Sequence, residues 1–324
     1  MSSTTTIVDV PILKDPGIEL NDVQKSSMER RRRAISPSFV PWILIIPALV
    51  LIAVFALYPL VRSIWFSFNS VSAFTGELSF IGLDNFKAVV QSDGFGATLG
   101  RTAIWVLGAV SFQFILGLGL ALIINTKFPM RGVYRALIMI PWATPSVLVA
   151  LMWKWILDPN SGIVNQALLA IGIIDKPIEF LSSPETALPS IIMIDVWQGI
   201  PLFAVMILAA LQAVSKDLRE AASIDGCGRI RSFIHVVWPV ILPTILITFV
   251  LRLIWTSNYV DLIFILTGGG PGHASTTLAL QSYLTTYKSV DFGQGAAYAV
   301  IQALILLAFV VLYFKLNKKA EERQ

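Results

Sequence analysis

Six stretches of this chain are apolar for long enough to cross a lipid bilayer, approximately Val40–Val61, Thr102–Ile124, Ala136–Leu157, Leu188–Val214, Val236–Leu266 and Gly295–Phe314. A helix needs about 20 such residues, at roughly 1.5 Å each, to cover about 30 Å of hydrocarbon. Lipid offers no partner to backbone polar groups, so each run must close its own hydrogen bonds as a helix or join a closed barrel. A barrel strand alternates with period two, and none of these runs does. The expected fold is an all-α integral membrane protein with six transmembrane helices.

Composition agrees with that reading. Of 324 residues, 56% are hydrophobic and only 14% charged, and mean hydropathy is +0.75. A soluble domain carries about a quarter charged residues. The apolar excess excludes a disordered chain. A single cysteine, Cys227, excludes a disulfide framework and, with only two histidines, offers no metal cluster. The small net charge of +4 has a membrane explanation and needs no nucleic acid.

Lys and Arg gather in alternate segments: Lys14, Lys25 and Arg30 to Arg33 before the first run, Lys127, Arg131 and Arg135, then Lys216, Arg219, Arg229 and Arg231, and finally Lys315, Lys318, Lys319 and Arg323. The intervening loops collect acids instead, among them Asp84, Asp158, Glu179 and Asp291. Positive loops stay cytoplasmic, so both termini are expected inside. Residues 1–36 read as a cytoplasmic tail, 37–315 as the six-helix domain and 316–324 as a second cytoplasmic tail. The first run is too long for a signal peptide and reads as a retained anchor.

One cytoplasmic connection is more than a connector. In residues 215–235, Ser215 fits an N-cap, Leu218, Ala221, Ala222 and Ile224 fall toward one helical face, and Gly226 and Gly228 interrupt the helix. Pro239 and Pro243 are expected to bend the chain as it enters the fifth span. A DNA-reading helix-turn-helix lacks its supporting third helix here. An amphipathic helix lying in the interface and a helix docking into a soluble partner both remain open.

The run Glu220-Ala221-Ala222, Gly226 four positions on, and Val236-Val237-Trp238-Pro239 resembles the EAA signature of the inner-membrane permease subunits of binding-protein-dependent ABC importers. Val and Trp replace the usual Ile and Leu before the proline and keep their packing role. FIGLDNF at Phe80–Phe86, IPWATPSVLVALMWKWIL at Ile140–Leu157 and LTGGGPG at Leu266–Gly272 look like elements of the carbohydrate, maltose-type branch, and the last resembles its first-permease subunit. The resemblance covers roughly residues 40–315. It implies the type I ABC importer permease fold in the cytoplasmic (inner) membrane of a prokaryote. It implies a second, non-identical permease chain, two copies of a cytoplasmic ABC ATPase that bind ATP and Mg, an extracytoplasmic solute-binding protein and a sugar-class substrate. It also implies an ATPase-coupling set: Glu220 as polar anchor, Ala221 and Ala222 as close-packing face, with Asp225 and Gly226 at the turn. The pathway would open inward at rest and outward when ATP closes the ATPase dimer.

The chain itself lacks GxxxxGK[ST], and its glycine run at Gly268–Gly270 has no lysine. No catalytic constellation and no resident cofactor are expected. His235 and His273 fall on opposite sides of the membrane. A secondary transporter would show inverted repeats and a polytopic enzyme would show clustered acids or histidines at one face, and neither pattern is present.

Ionisable residues inside spans, here Lys154, Asp195, Arg252 and Asp261, suggest function by default. Lys154 reads as snorkelling or pairing locally near Asp158, whereas Arg252 and Asp261, nine apart, face opposite ways and each needs a partner or a wet cavity. Sugar sites combine aromatic faces with amides and carboxylates. Trp255, Asn258 and Tyr259 share one helical face, and with Asp261 they are the first pathway candidates. Packing or helix–helix bonding explains that set equally well, and Tyr298 with Gln302, and Trp197 with Gln198, are weaker candidates on other spans. Asp261 on that face disfavours a phosphorylated solute, while Arg252 leaves one open. Pro141 and Pro145 supply either working bends or a static kink.

Overall fold

A computed structural model describes residues 40–72, 75–126 and 129–321, with side chains described for 41–315 within those ranges. The expected tail at residues 1–36, its arginines and Lys127 lie outside the described residues. By its contacts the chain divides into residues 1–61 and 62–324.

In the first unit, helix α1 (Val40–Ile52) passes through a π turn at Ala53–Leu57 into α2 (Tyr58–Ser67), which continues into the second unit. Together they form a span, Pro41–Ser67, none of whose apolar window is buried within the chain.

The second unit continues with a small antiparallel hairpin, β1 (Asn69–Val71) and β2 (Leu78–Phe80), and helix α3 (Asp84–Gln91). The FIGLDNF stretch has a local reason. Gly82 takes a positive φ of 61° at the turn, and buried Asn85 donates from Nδ2 to the carbonyls of Ser67 (3.0 Å) and Asn69 (2.9 Å), tying α3 to the hairpin. Two long helices form the centre: α4 (Phe95–Ile124), and α9 (Ala187–Ala213), which lies along it. They approach closely because Gly117 and Gly199 stand at the contact. A Cβ on Gly117 would meet Phe203, and one on Gly199 would meet the Gln113 amide. Trp105, Phe203, Ile191, Ile194 and Ile207 fill the core between them and their neighbours.

Between α4 and α9 run α5 (Arg131–Ile138), α6 (Ile140–Ala143), α7 (Ser146–Ile156) and α8 (Ile163–Ala170). The third apolar run is therefore not one straight span. Residues Arg131–Ala143 and Ser146–Ile156 meet at 91°, because Thr144 is extended ahead of Pro145, which caps α7. Pro141 sits harmlessly in the first turn of α6. Among the described residues five helices are continuous and apolar enough to cross a membrane, six if this bent pair counts as one broken span.

After α9 come α10 (Lys216–Ile224), α11 (Arg229–Ser232), a π turn at Phe233–Val237 and α12 (Trp238–Ser257). The fifth span is continuous from Arg229 to Ser257, so Pro239 in the first turn of α12 is absorbed without an interruption. The run expected to continue to Leu266 instead breaks at Asn258–Tyr259 and resumes as α13 (Val260–Thr267). The LTGGGPG segment then folds into a tight loop, with positive φ at Gly268, Gly269, Gly272 and His273. Buried Ser275 and Thr276 tie it down, donating to the carbonyls of Gly270 and Gly269, each at 2.8 Å. Helix α14 (Leu278–Tyr287) packs on the long last helix α15 (Phe292–Glu321), which runs past the expected end of the domain at 315.

Candidate functional site

Each break in a helix frees carbonyls that need partners, and in lipid those must be supplied by protein. At the break after α12, Trp105 Nε1 donates to the Thr256 carbonyl (2.9 Å) and Gln302 Nε2 to that of Ser257 (2.9 Å). At the break before α7, Gln198 Nε2 donates to the Thr144 carbonyl (3.2 Å). The same Gln198 accepts from the Tyr259 hydroxyl through Oε1 at 2.7 Å. One amide of α9 therefore links the broken third span to the broken fifth.

A cavity of about 320 Å³ opens between these breaks, bounded by Trp142, Gln198, Arg252, Trp255 and Tyr259. That volume is near the lower end, roughly 300 Å³, of ordinary small-molecule sites. Three aromatic side chains and two hydrogen-bonding ones line it, a set suited to the mixed apolar and hydroxylated faces of a sugar ring. Behind it, Arg252 Nε donates to Gln113 Oε1 (2.8 Å) and Nη2 to Asp195 Oδ1 (3.3 Å), while Gln113 Nε2 donates to Asp195 Oδ2 (2.9 Å). Gln113 and Asp195 are buried and Arg252 nearly so.

Of the sequence candidates, the structure brings Trp255, Tyr259 and Gln198 to this cavity. The helical face expected to carry Trp255, Asn258 and Tyr259 together does not exist, because the helix ends between them. Asn258 donates to the Ile254 carbonyl and accepts from Gln302 at 3.3 Å. Gln302 thus braces the break. Tyr298 lies apart, its hydroxyl 3.3 Å from that of Ser92 and its ring against Phe95. Asp261 is exposed in the first turn of α13 and does not border the cavity. Trp197 packs edge-on against Trp153 with ring centroids 5.5 Å apart. Arg252 has the partner it needs in Asp195, on another helix. Trp142, Gln113 and Asp195 escape sequence reasoning as site residues. Asp195 alone carried a signal, as an ionisable residue inside a span.

Lys154 and Asp158 border a second hollow, of about 410 Å³, beside Thr267, Gly270 and Pro271. Asp158 is held below the ordinary carboxylate range by hydrogen bonds from the Ser161 backbone and hydroxyl and the Asn160 backbone. Its Oδ1 is thereby engaged locally, and the pairing with Lys154 does not form.

At the far end of α9, α10 is a helix capped at both ends. Ser215 Oγ accepts from the Leu218 N–H (3.3 Å) as N-cap. Gly226, at φ 74°, closes it: the Cys227 N–H bonds the Ala222 carbonyl and the Gly226 N–H that of Ser223, a Schellman end. Ala222 is buried, whereas Glu220, Ala221 and Asp225 are exposed, and Leu218, Ile224 and Ile230 are uncovered apolar side chains. Arg219 Nη2 donates to the Leu211 carbonyl at 2.7 Å, anchoring α10 to the last turn of α9. Among the described residues no group of three or more His, Cys, Asp or Glu is placed to hold a metal ion.

Residues 113–322 match the model of the binding-protein-dependent transport system inner membrane component family. The chain is 33% identical over 277 residues to the trehalose/maltose transport system permease protein MalF of Thermococcus litoralis, covering 86% of this chain and 93% of that one. It is 33% identical over 275 residues to the sulfoquinovosyl glycerol transport system permease protein SmoG of Agrobacterium fabrum, covering 85% and 89%. Its fold matches a chain of a bacterial alginate ABC transporter, solved with an alginate pentasaccharide-bound periplasmic protein, at a TM-score of 0.76, 23% identity and coverage of 90% and 98%. The chain belongs to the family of binding-protein-dependent transport system inner membrane components, the permeases of ABC importers.

Proposed function

We propose that this permease passes a sugar-class solute inward through the cavity between its two helix breaks, driven by ATP hydrolysed on separate subunits. The observation that carries the reading is Gln198, which ties both breaks together at the edge of an aromatic-lined cavity inside the spans. A relative named for trehalose/maltose transport favours the same solute class. The distribution of Lys and Arg supports a cytoplasmic side for α10 and both termini, with the glycine-rich loop outside, and the family's description supports the inner membrane of a prokaryote. A binding protein delivers solute from that outer side, as the family's description implies.

In this reading α10 docks into a groove of a cytoplasmic ATPase that holds ATP and Mg. Glu220 is the polar anchor, Ala221 gives a close-packing surface, buried Ala222 seats the helix on its own chain, and Asp225 and Gly226 shape the turn. Two such ATPase copies and a second permease chain complete the transporter. The exposed, capped and tethered state of α10 supports this. Glu220→Lys in cells depending on this uptake system tests it. Uptake falls to background with normal membrane abundance if α10 is the coupling element, and wild-type uptake at normal abundance refutes the role.

A further inference from the structure

Arg252 is the one charged side chain that borders the cavity, and its charge is answered from behind rather than from within. A guanidinium does not lose its proton in a protein, so a buried one needs a fixed counter-charge. Asp195, 1% exposed, supplies it across 3.3 Å. Gln113, fully buried, locks the pair. It accepts from Arg252 Nε while its amide nitrogen donates to both Asp195 Oδ2 and the Asp195 carbonyl, each at 2.9 Å. Gly199 makes room for that amide, since a Cβ there would overlap it. Arg252 Nη1 is left without a hydrogen-bonding partner among the described residues. The cavity wall at Arg252 therefore carries a guanidinium whose charge is already balanced.

We propose that Asp195 is a specificity-determining residue: by neutralising Arg252 from the side away from the cavity, it makes the cavity select uncharged polyhydroxy solutes over phosphorylated or otherwise anionic ones. Asp195 need not touch solute, because it acts through Arg252. A neutral hydroxyl accepts a hydrogen bond from Arg252 without disturbing the pair. An anion has to compete with a carboxylate that is already in place and held by Gln113. The proposal rests on the cavity being the solute site and deepens that reading.

The test is solute binding to the purified full-length chain in detergent micelles, read by tryptophan emission, since Trp142 and Trp255 line the cavity. The probes are glucose and glucose 6-phosphate. For the wild type, glucose binds at least tenfold more tightly than glucose 6-phosphate. In Asp195→Asn, the affinity for glucose 6-phosphate relative to glucose rises at least tenfold. In Asp195→Asn with Arg252→Gln, the gain disappears. Equal or tighter binding of glucose 6-phosphate by the wild type overturns the proposal even if the variants fail to fold, and leaves the cavity as the solute site. An unchanged preference in folded Asp195→Asn also overturns it. If the wild type responds to neither probe, the cavity is not the solute site and both readings fall.

Discussion

Gly199 and Gly119 are both helical glycines, but their surroundings give opposite expectations. Alanine at Gly199 would press its Cβ into the Gln113 amide, which holds Arg252 and Asp195, whereas alanine at Gly119 meets no atom within 4 Å. Overpacking a tight contact costs about 1–3 kcal/mol, while Gly→Ala in an open helical site gains about 1 kcal/mol or less. Thermal unfolding in detergent should therefore show Gly199→Ala melting lower than the wild type and Gly119→Ala equal or higher; the reverse order would contradict the placement of Gln113. The cavity makes a similar contrast. Trp255→Ala removes a lining aromatic and should weaken glucose binding about tenfold, the size of a good aromatic contact of about 1.4 kcal/mol. Asn258→Ala should change it less than about twofold, because Asn258 turns to Ile254 and Gln302. Equal losses from the two would argue for an unbroken helical face. That contrast also marks where reading the residues ran out. Trp255, Tyr259 and Gln198 were legible as cavity residues from their chemistry, but Asn258 and Gln302 carry the same amide group as Gln198 and brace a break. Nothing in local spacing separates an amide that binds solute from one that satisfies a freed carbonyl.

Helix ends carry most of what α10 does. Ser215 and Gly226 were legible because caps act over three or four residues, so the motif and its geometry share a short window. The link from Arg219 to the Leu211 carbonyl was not, since any exposed arginine reads the same in sequence. Arg135 makes a weaker counterpart at the end of α4, donating to the Ile124 carbonyl at 3.4 Å. Two tests follow at this scale. Gly226→Val forces a β-branched residue into the left-handed region at a cost of about 1–2 kcal/mol and should lower uptake by misplacing α10, although no side chain stands in the way. Arg219→Ala should leave α10 capped yet untethered, so that ATP hydrolysis in membrane vesicles persists while uptake drops; a parallel fall in both would make Arg219 a folding residue only. The breaks were half legible. A fifth run extending to Leu266 exceeds, at about 1.5 Å per residue, what the hydrocarbon requires, and the excess is where the helix ends. Pro145 pointed to a bend in the third run, but not to its 91° angle or to Gln198, on another helix, as the partner of the freed Thr144 carbonyl.

Across the whole chain, the apolar runs set the architecture, and the charges between them set the expected orientation. What periodicity could not convey is the pairing of α4 with α9, because runs apolar on every side carry no face to read. That pairing rests on Gly117, Gly199 and the buried polar set of Gln113, Asp195 and Arg252, whose partners lie 57 to 139 residues apart. In the proposed function this chain supplies a path and a lever while the energy comes from another subunit. The most direct measurement is solute uptake by the complete transporter, purified with its ATPase and binding protein and reconstituted in vesicles, with ATP and with a non-hydrolysable analogue. Uptake is expected only with hydrolysis, and is expected to vanish in Glu220→Lys although the variant chain is present at the wild-type amount. Accumulation that continues with the analogue would contradict the account.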